Sequence, residues 1–241
     1  MIDISRPHDS FFRFLVSKTE RAIGLIRLSI PPPIAKHILF DTLTPVPDTF
    51  VDSQLRNRYS DALFNVLTVS GCPTFIYSLV DHKSTPDLNV GLQLQRYYVP
   101  IWDKHIINHP GSNLPPIIGI VLYHGKSPWK FDTNFISRFQ CKESFHPYIP
   151  KFCYILFDLS TLEDDQLFGE ADLRAALLLM KYIYDPNLYK YVPMMLEVLQ
   201  AARDNPDFVA FFEAFMLYLM KHLGEEYRED LTRIVYNKFP E

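Results

Sequence analysis

The stretch that most constrains the fold runs from Ser60 to Ser84, SDALFNVLTVSGCPTFIYSLVDHKS. Two apolar runs rich in β-branched and aromatic residues flank Gly71-Cys72-Pro73, so the pattern predicts a β-hairpin. Side chains alternate along a strand, which puts Phe75, Tyr77, Leu79, Asp81 and Lys83 on one face. A turn centred near Cys72 makes paired residue numbers sum to about 143 in an antiparallel ladder. Asp61 then falls opposite position 82, between Asp81 and Lys83. Two carboxylates near one point repel unless a cation or proton sits between them, so the open end of the hairpin is a candidate divalent-metal site.

The segments on either side supply layers for this hairpin. Asp9 is placed as the N-cap of a first helix, with Phe11, Phe12, Phe14 and Leu15 as its apolar face. A second helix is expected over Lys18–Leu28, stopped by Pro31-Pro32-Pro33. Ile34–Leu39 reads as a further short helical turn, and Asp41–Asn57, with Pro45 and Pro47, as extended or irregular chain. After the hairpin, Ser84-Thr85-Pro86-Asp87 signals a helix start. That helix is expected to reach Ile107, with Leu88, Leu92, Leu94, Tyr98, Ile101 and Trp102 as its apolar surface and a kink or break at Pro100. Pro116–Tyr123 and Phe152–Leu159 are short, nearly continuous apolar runs of the kind buried on both faces of a sheet. From Thr161 onward helical periodicity takes over, in Leu173–Tyr184, Tyr191–Arg203 and Phe208–Leu223. The layout is an α/β core with a mixed sheet, residues 1–160, followed by a helical C-terminal region, 161–241.

Composition narrows the setting. The 241 residues are 48% hydrophobic, enough for a large core. The longest apolar run, Phe208–Met220, is interrupted by Glu213 and is too short to span a bilayer. No basic stretch followed by an apolar one opens the chain, and Cys72, Cys141 and Cys153 form no paired motif, so a cytoplasmic chain with reduced thiols is expected. The net charge of −4 is unevenly spread. Residues 1–158 hold 16 Lys+Arg and 13 Asp+Glu, while 159–241 hold 8 and 15, giving +3 and −7. The first part can face phosphates, although a charge of that size is equally an ordinary solvated surface.

Most familiar chemistries find no support. There is no phosphate-cradling glycine loop, no G-x-S-x-G elbow, no H-E-x-x-H helix, and no histidine pair with zinc-ligand spacing. What remains is Asp61 with Asp81-His82-Lys83. A hard cation such as Mg²⁺ takes carboxylate and carbonyl oxygens, here Asp61, Asp81 and the His82 carbonyl. Lys83 could then orient an attacking water and balance charge developing on phosphorus. Taken alone, the Asp81–Lys83 pair reads better as a surface ion pair of little energetic weight. The juxtaposition with Asp61 raises the metal reading without deciding it.

Beyond this spacing, the chain resembles the recombination-promoting nuclease (Rpn) family, a transposase-related group within the PD-(D/E)xK nuclease superfamily. The resemblance rests on Pro7-His8-Asp9-Ser10-Phe11-Phe12-Arg13, Phe50-Val51-Asp52, Tyr59-Ser60-Asp61-Ala62-Leu63 and Val80-Asp81-His82-Lys83-Ser84. It continues through Leu94-Gln95-Arg96-Tyr97, the run Pro116–Gly125 with Trp129, and Phe157-Asp158-Leu159, all in order over the first two-thirds of the chain. It implies a PD-(D/E)xK restriction-endonuclease-like core, α-β-β-β-α-β, and Mg²⁺-dependent DNA cleavage, with Mn²⁺ as a substitute. By it Asp61 is the first acidic ligand, Asp81 and Lys83 are the acidic and basic members of the D/E-x-K pair, and Asp9 is a further acidic residue on the first helix. The sequence departs from the family at Asp81, where Glu is usual, at Ser60 for Pro, at Arg13 for Lys, and at Gln93, where relatives often carry Arg.

Several other residues are candidates at lesser weight. Gln93 and Tyr97, at i and i+4, share a helix face just beyond the metal strand and suit water, phosphate or plain packing equally. His8 and His82 could approach phosphate, although structural hydrogen bonds suit them better. A direct role for Tyr123-His124-Gly125 is not expected. Arg56, Arg58, Arg96, Lys126 and Lys130 are candidates for DNA-backbone contact. With no recognition helix or finger in view, cleavage of double-stranded DNA with little sequence specificity is the leading expectation. The alternative is a nuclease fold kept as a DNA- or protein-binding module, and an RNA substrate suits the same chemistry. Self-association through the acidic helical region is expected if the chain forms a homo-oligomer.

Overall fold

The structure is a computed structural model and describes residues 7–46, 62–71, 73–81 and 86–239. Helices α1 (Pro7–Ser17) and α2 (Thr19–Ser29) come first, and the proline run leaves a single turn, α3 (Pro32–Ala35). Three strands follow, β1 (Ile38–Pro45), β2 (Ala62–Thr68) and β3 (Pro73–Asp81), then the long helix α4 (Val90–Asn108) and strands β4 (Ile117–Tyr123) and β5 (Ile155–Asp158). Among the described residues four more α-helices follow: α5 (Ala171–Tyr182), α6 (Leu188–Gln200), α7 (Phe208–His222) and α8 (Arg228–Lys238). The sheet has spatial order β1-β2-β3-β4-β5. Its first three strands are antiparallel, and β3, β4 and β5 run parallel. This is a mixed sheet flanked by helices, with a helical region after it, and it contains the α-β-β-β-α-β order that the resemblance implies.

Strand alternation divides the core in two. Leu63, Phe75 and Val121 point to one side, where α4 covers them with Val90, Leu94, Tyr97, Tyr98 and Ile101. Phe64, Val66, Ile76 and Ile120 point to the other side, where α2 covers them with Ala22, Ile26 and Ile30. Gly119 of β4 faces α4, and a Cβ there would lie 2.1 Å from Tyr98 Oη. The missing side chain is what lets α4 lie this close to the sheet.

The largest cluster crosses the residue-160 boundary of the sequence reading. Phe11, Phe12, Leu15, Leu25, Leu122, Phe157 and Leu159 pack with Leu177, Met180, Leu196, Phe215 and Leu219 of the C-terminal helices. Arg21 sits in the same contact, 3% exposed. Its Nη1 donates to Asp172 Oδ2 at 3.3 Å and to Asp207 Oδ2 at 3.0 Å, and its Nε donates to the Leu15 carbonyl at 3.0 Å. Phe14 and Phe211 lie 5.3 and 5.0 Å from the guanidinium carbon. Lys18 adds a second cation to Asp207 at 2.5 Å. A buried guanidinium bonded through both Nε and Nη1 joins α2 to α5 and to the start of α7.

Several expectations need correction. Residues 38–45 form a strand, not the end of a helical turn followed by irregular chain, and β1 is interrupted by a register shift between Leu39 and Thr44. The β2–β3 ladder pairs Ala62 with Ser78 and Leu67 with Pro73, so paired numbers sum to 140 rather than about 143. The cause is the turn: the Gly71 N–H bonds the Thr68 carbonyl at 2.8 Å with Gly71 at φ 77°, centring the reversal before Cys72. Asp9 is not an N-cap but lies within the first turn of α1. Helix α4 starts at Val90, not Asp87, because the Asp87 carboxylate accepts from the Asn89 N–H at 2.9 Å in a turn of its own. It runs unbroken past Pro100. Of the residues read as its apolar surface, Leu88 precedes the helix and Leu92 lies on it, and both are exposed. The last helix, α8, was not expected at all.

Candidate functional site

The parallel half of the sheet brings three strand ends into line. Asp81, the last residue of β3, pairs with Tyr123, the last residue of β4, and Tyr123 pairs in turn with Asp158 at the end of β5. Carboxyl ends of strands in open sheets of this kind are where sites are usually built. Asp158 is committed to holding the chain nearby. Its Oδ2 accepts the Trp129 N–H at 2.8 Å, and its Oδ1 accepts the Ser160 N–H at 2.9 Å and hydroxyl at 2.7 Å. The Tyr123 hydroxyl donates to the Ser127 carbonyl at 2.7 Å, and its ring lies over Gly125, where a Cβ would come within 2.1 Å of Oη. The loop after β4 is therefore tied down at both ends, with Lys126 and Lys130 exposed on it.

Next to this loop lies a compact array of imidazoles and phenols. His124, 1% exposed, has its ring centre 5.2 Å from His8 of α1 and 5.9 Å from Tyr184, which it stacks against. His8 is also 4.9 Å from His222. Its Nδ1 lies 2.6 Å from the Tyr218 hydroxyl and its Nε2 lies 3.1 Å from the Tyr184 hydroxyl. A neutral imidazole has one N–H and one lone pair, so these two phenols satisfy it, one accepting and one donating. Burial pushes the Tyr218 hydroxyl well above its ordinary pKa. Burial, and then the nearby Tyr123, raises that of Tyr184. Both therefore remain neutral hydrogen-bonding groups at neutral pH. Lys126 places its ammonium 5.6 Å over the Tyr184 ring, so the post-β4 loop rests on a residue of the C-terminal region.

The candidates from sequence sort as follows. Asp61, His82 and Lys83, with Arg56 and Arg58, lie outside the described residues. Asp81 is at the end of β3. Asp9 is buried in the first turn of α1, one residue from His8. Gln93 and Tyr97 do share a face of α4, Gln93 half-buried and Tyr97 buried. Arg96 is exposed on that helix, and Lys130 lies 5.9 Å from the Phe131 ring. Tyr184, Tyr218 and His222 were missed. The one signal available for them was Tyr218 and His222 at i and i+4 on one helix. Among the described residues no group of three or more His, Cys, Asp or Glu side chains could hold a metal ion. Two of the three oxygen donors expected for Mg²⁺, the Asp61 carboxylate and the His82 carbonyl, fall outside those residues. No helix among the described residues is long and apolar enough to cross a membrane.

Known proteins match this chain in sequence over most of its length. The chain is similar to the recombination-promoting nuclease RpnA of Escherichia coli strain K12, 27% identical over 83% of this chain and 68% of the relative. It is similar to recombination-promoting nuclease RpnD of Escherichia coli O157:H7, 24% identical over 83% of this chain and 78% of the relative. It is also similar to the inactive recombination-promoting nuclease-like protein RpnE of strain K12, 26% identical over 76% of this chain. The chain spans only 61% of RpnE's own length. No solved structure matches. The family described as "Putative transposase, YhgA-like" matches residues 6–209, from the first turn of α1 to the start of α7. That span takes in the whole sheet, both helical layers and every strand end that meets at Tyr123, and the chain belongs to this family.

Proposed function

We propose that the protein is a Mg²⁺-dependent endonuclease that hydrolyses phosphodiester bonds of double-stranded DNA with low sequence specificity, in the service of recombination or transposition. What carries the reading is the coincidence of two facts. The matched family spans the whole sheet, and β3 ends on the acidic residue of the Asp81-His82-Lys83 motif, at the antiparallel–parallel junction. Two relatives are named nucleases, which supports the reaction class.

In this reading the carboxylates of Asp61 and Asp81 and the carbonyl of His82 are the oxygen donors for the cation. The bound cation supplies electrophilic assistance at phosphorus, and Mn²⁺ serves in its place. Lys83 holds the attacking water in line and offsets the negative charge that grows on the phosphoryl oxygens. Asp9, Gln93 and Tyr97 support the site from α1 and α4. Arg56, Arg58, Arg96, Lys126 and Lys130 meet the DNA backbone, a contact that carries no base information.

The test is nicking of supercoiled plasmid by purified protein in Mg²⁺ buffer, with and without EDTA, beside Asp81→Ala and Lys83→Ala. The expected result is cleavage that EDTA abolishes and that each substitution lowers by about 100-fold or more, the scale of losing a group that stabilises developing charge. Variants that cut as fast as the parent overturn it. A second reading is favoured by one observation, the similarity to RpnE, a relative named as inactive: a nuclease fold retained for binding. DNA retardation in gels without cleavage under any divalent metal would select that reading.

A further inference from the structure

The outer face of α4 carries a stripe of exposed apolar residues, where a surface helix ordinarily presents polar ones. Leu92 is 43% exposed, Val99 53% and Ile106 46%. They recur every seven residues, and at 100° per residue they fall within about 40° of one another, on the side away from Leu94, Tyr97, Tyr98 and Ile101. Two charged residues flank the stripe, Arg96 and Asp103, both exposed. Neither has an ion-pair partner among the described residues. They stand seven positions apart along the helix, about 10 Å, too far to pair with each other.

We propose that this face binds a second copy of the chain, α4 against α4, antiparallel about a two-fold axis at Val99. The sequence of the stripe is self-complementary in that orientation. Leu92 and Ile106 are each seven residues from Val99, so Leu92 meets Ile106 of the partner subunit and Val99 meets the partner's Val99. Arg96 then comes beside Asp103 of the partner subunit, and symmetry makes that pair twice. A parallel pairing would instead set Arg96 level with the partner's Arg96. Seven-residue apolar spacing with flanking charges is how paired helices choose register and orientation, and a two-fold interface must be complementary to itself in this way. Two turns of contact on either side of one axis is a small interface, so the dimer is one that forms and dissociates with concentration. Among the described residues, helix α4 is the next element after β3. Antiparallel pairing sets the two α4 N-termini at opposite ends of a helix pair about 28 Å long.

The proposal is independent of whether the chain cuts DNA, and the full-length protein tests it by sedimentation velocity at rising concentration. The expected result is a monomer–dimer equilibrium in the parent. Arg96→Asp alone and Asp103→Arg alone each weaken it by about tenfold or more, as like charges face one another twice. The double variant Arg96→Asp/Asp103→Arg restores it. Both sites are exposed, so circular dichroism should show an unchanged fold for all three variants. A parent that stays monomeric throughout overturns the proposal. So does a dimer indifferent to the single changes, or a double variant that stays weakened. If Arg96→Asp lowers plasmid retardation while sedimentation is unchanged, Arg96 is a DNA contact only and the dimer face is wrong.

Discussion

At the scale of single residues, Gly119 and Arg21 each have a defined cost of replacement. A methyl at Gly119 would collide with Tyr98 Oη at 2.1 Å and press Leu94 Cδ1 at 3.3 Å. Gly119→Ala is expected to destabilise the fold by about 1–3 kcal/mol in urea denaturation. In a Tyr98→Phe background, which removes the Oη, the cost of the same change should shrink, a coupling that a double-mutant cycle reads directly. Arg21→Met leaves the buried Asp172 carboxylate without its cation, and about 3–5 kcal/mol should be lost. Asp207 gives the pH dependence. The Lys18 ammonium bonded to it, helped by Arg21, holds its carboxyl below the ordinary value of 3.8. A carboxylate depressed in the folded state stabilises fully above that ordinary value, and the contribution fades as pH falls through the lower folded pKa. The parent should therefore lose melting temperature faster below pH 3.8 than Asp207→Asn does, a comparison differential scanning fluorimetry can make.

Among the elements, how much was legible depended on whether a segment buries a continuous face. Strand β4 was readable because IIGIVLY is apolar on both faces. Strand β1 was not, since its burial does not alternate across the register shift after Leu39 and its Pro45 argues against a strand. Helix α8 buries only Leu231 well, so its sequence carries almost no periodic signal. The hairpin was recognisable, but its register turned on the conformation of Gly71, which no apolar pattern encodes. The array of His8, His124, Tyr184, Tyr218 and His222 was beyond local reading for another reason: four separate segments supply it, and only Tyr218 and His222 share a helix. It can be tested as an element-to-element contact. His8→Ala removes the hydrogen-bond partner of one buried phenol, Tyr218, and one half-buried phenol, Tyr184, and is expected to cost about 1–3 kcal/mol, whereas Tyr184→Phe, at the half-buried edge, should cost less.

For the molecule as a whole, the shared cluster and the Arg21 contact make the sheet and the C-terminal helices one packing unit. Both tryptophans, Trp102 and Trp129, belong to the sheet portion. Their fluorescence reports that portion, while far-UV circular dichroism is dominated by the helices. Coincident urea transitions by the two probes are expected, and two separated transitions would show that the portions unfold independently.

The Arg21 contact also sets an order in time. Its partner Asp207 lies 186 residues further along the chain. At 5–20 residues per second, a ribosome needs roughly 10–40 s to deliver that partner after Arg21 emerges. Until Asp172 and then Asp207 emerge, α2 carries a guanidinium without its partners on the side that must later become dry, and α1 waits with Phe11 and Phe12 uncovered. The segments bearing Asp61 and Asp81 precede the helices α5–α7 that buttress α1 and the loop after β4. A chain built this way leaves the packing around its strand ends incomplete until those later helices have emerged.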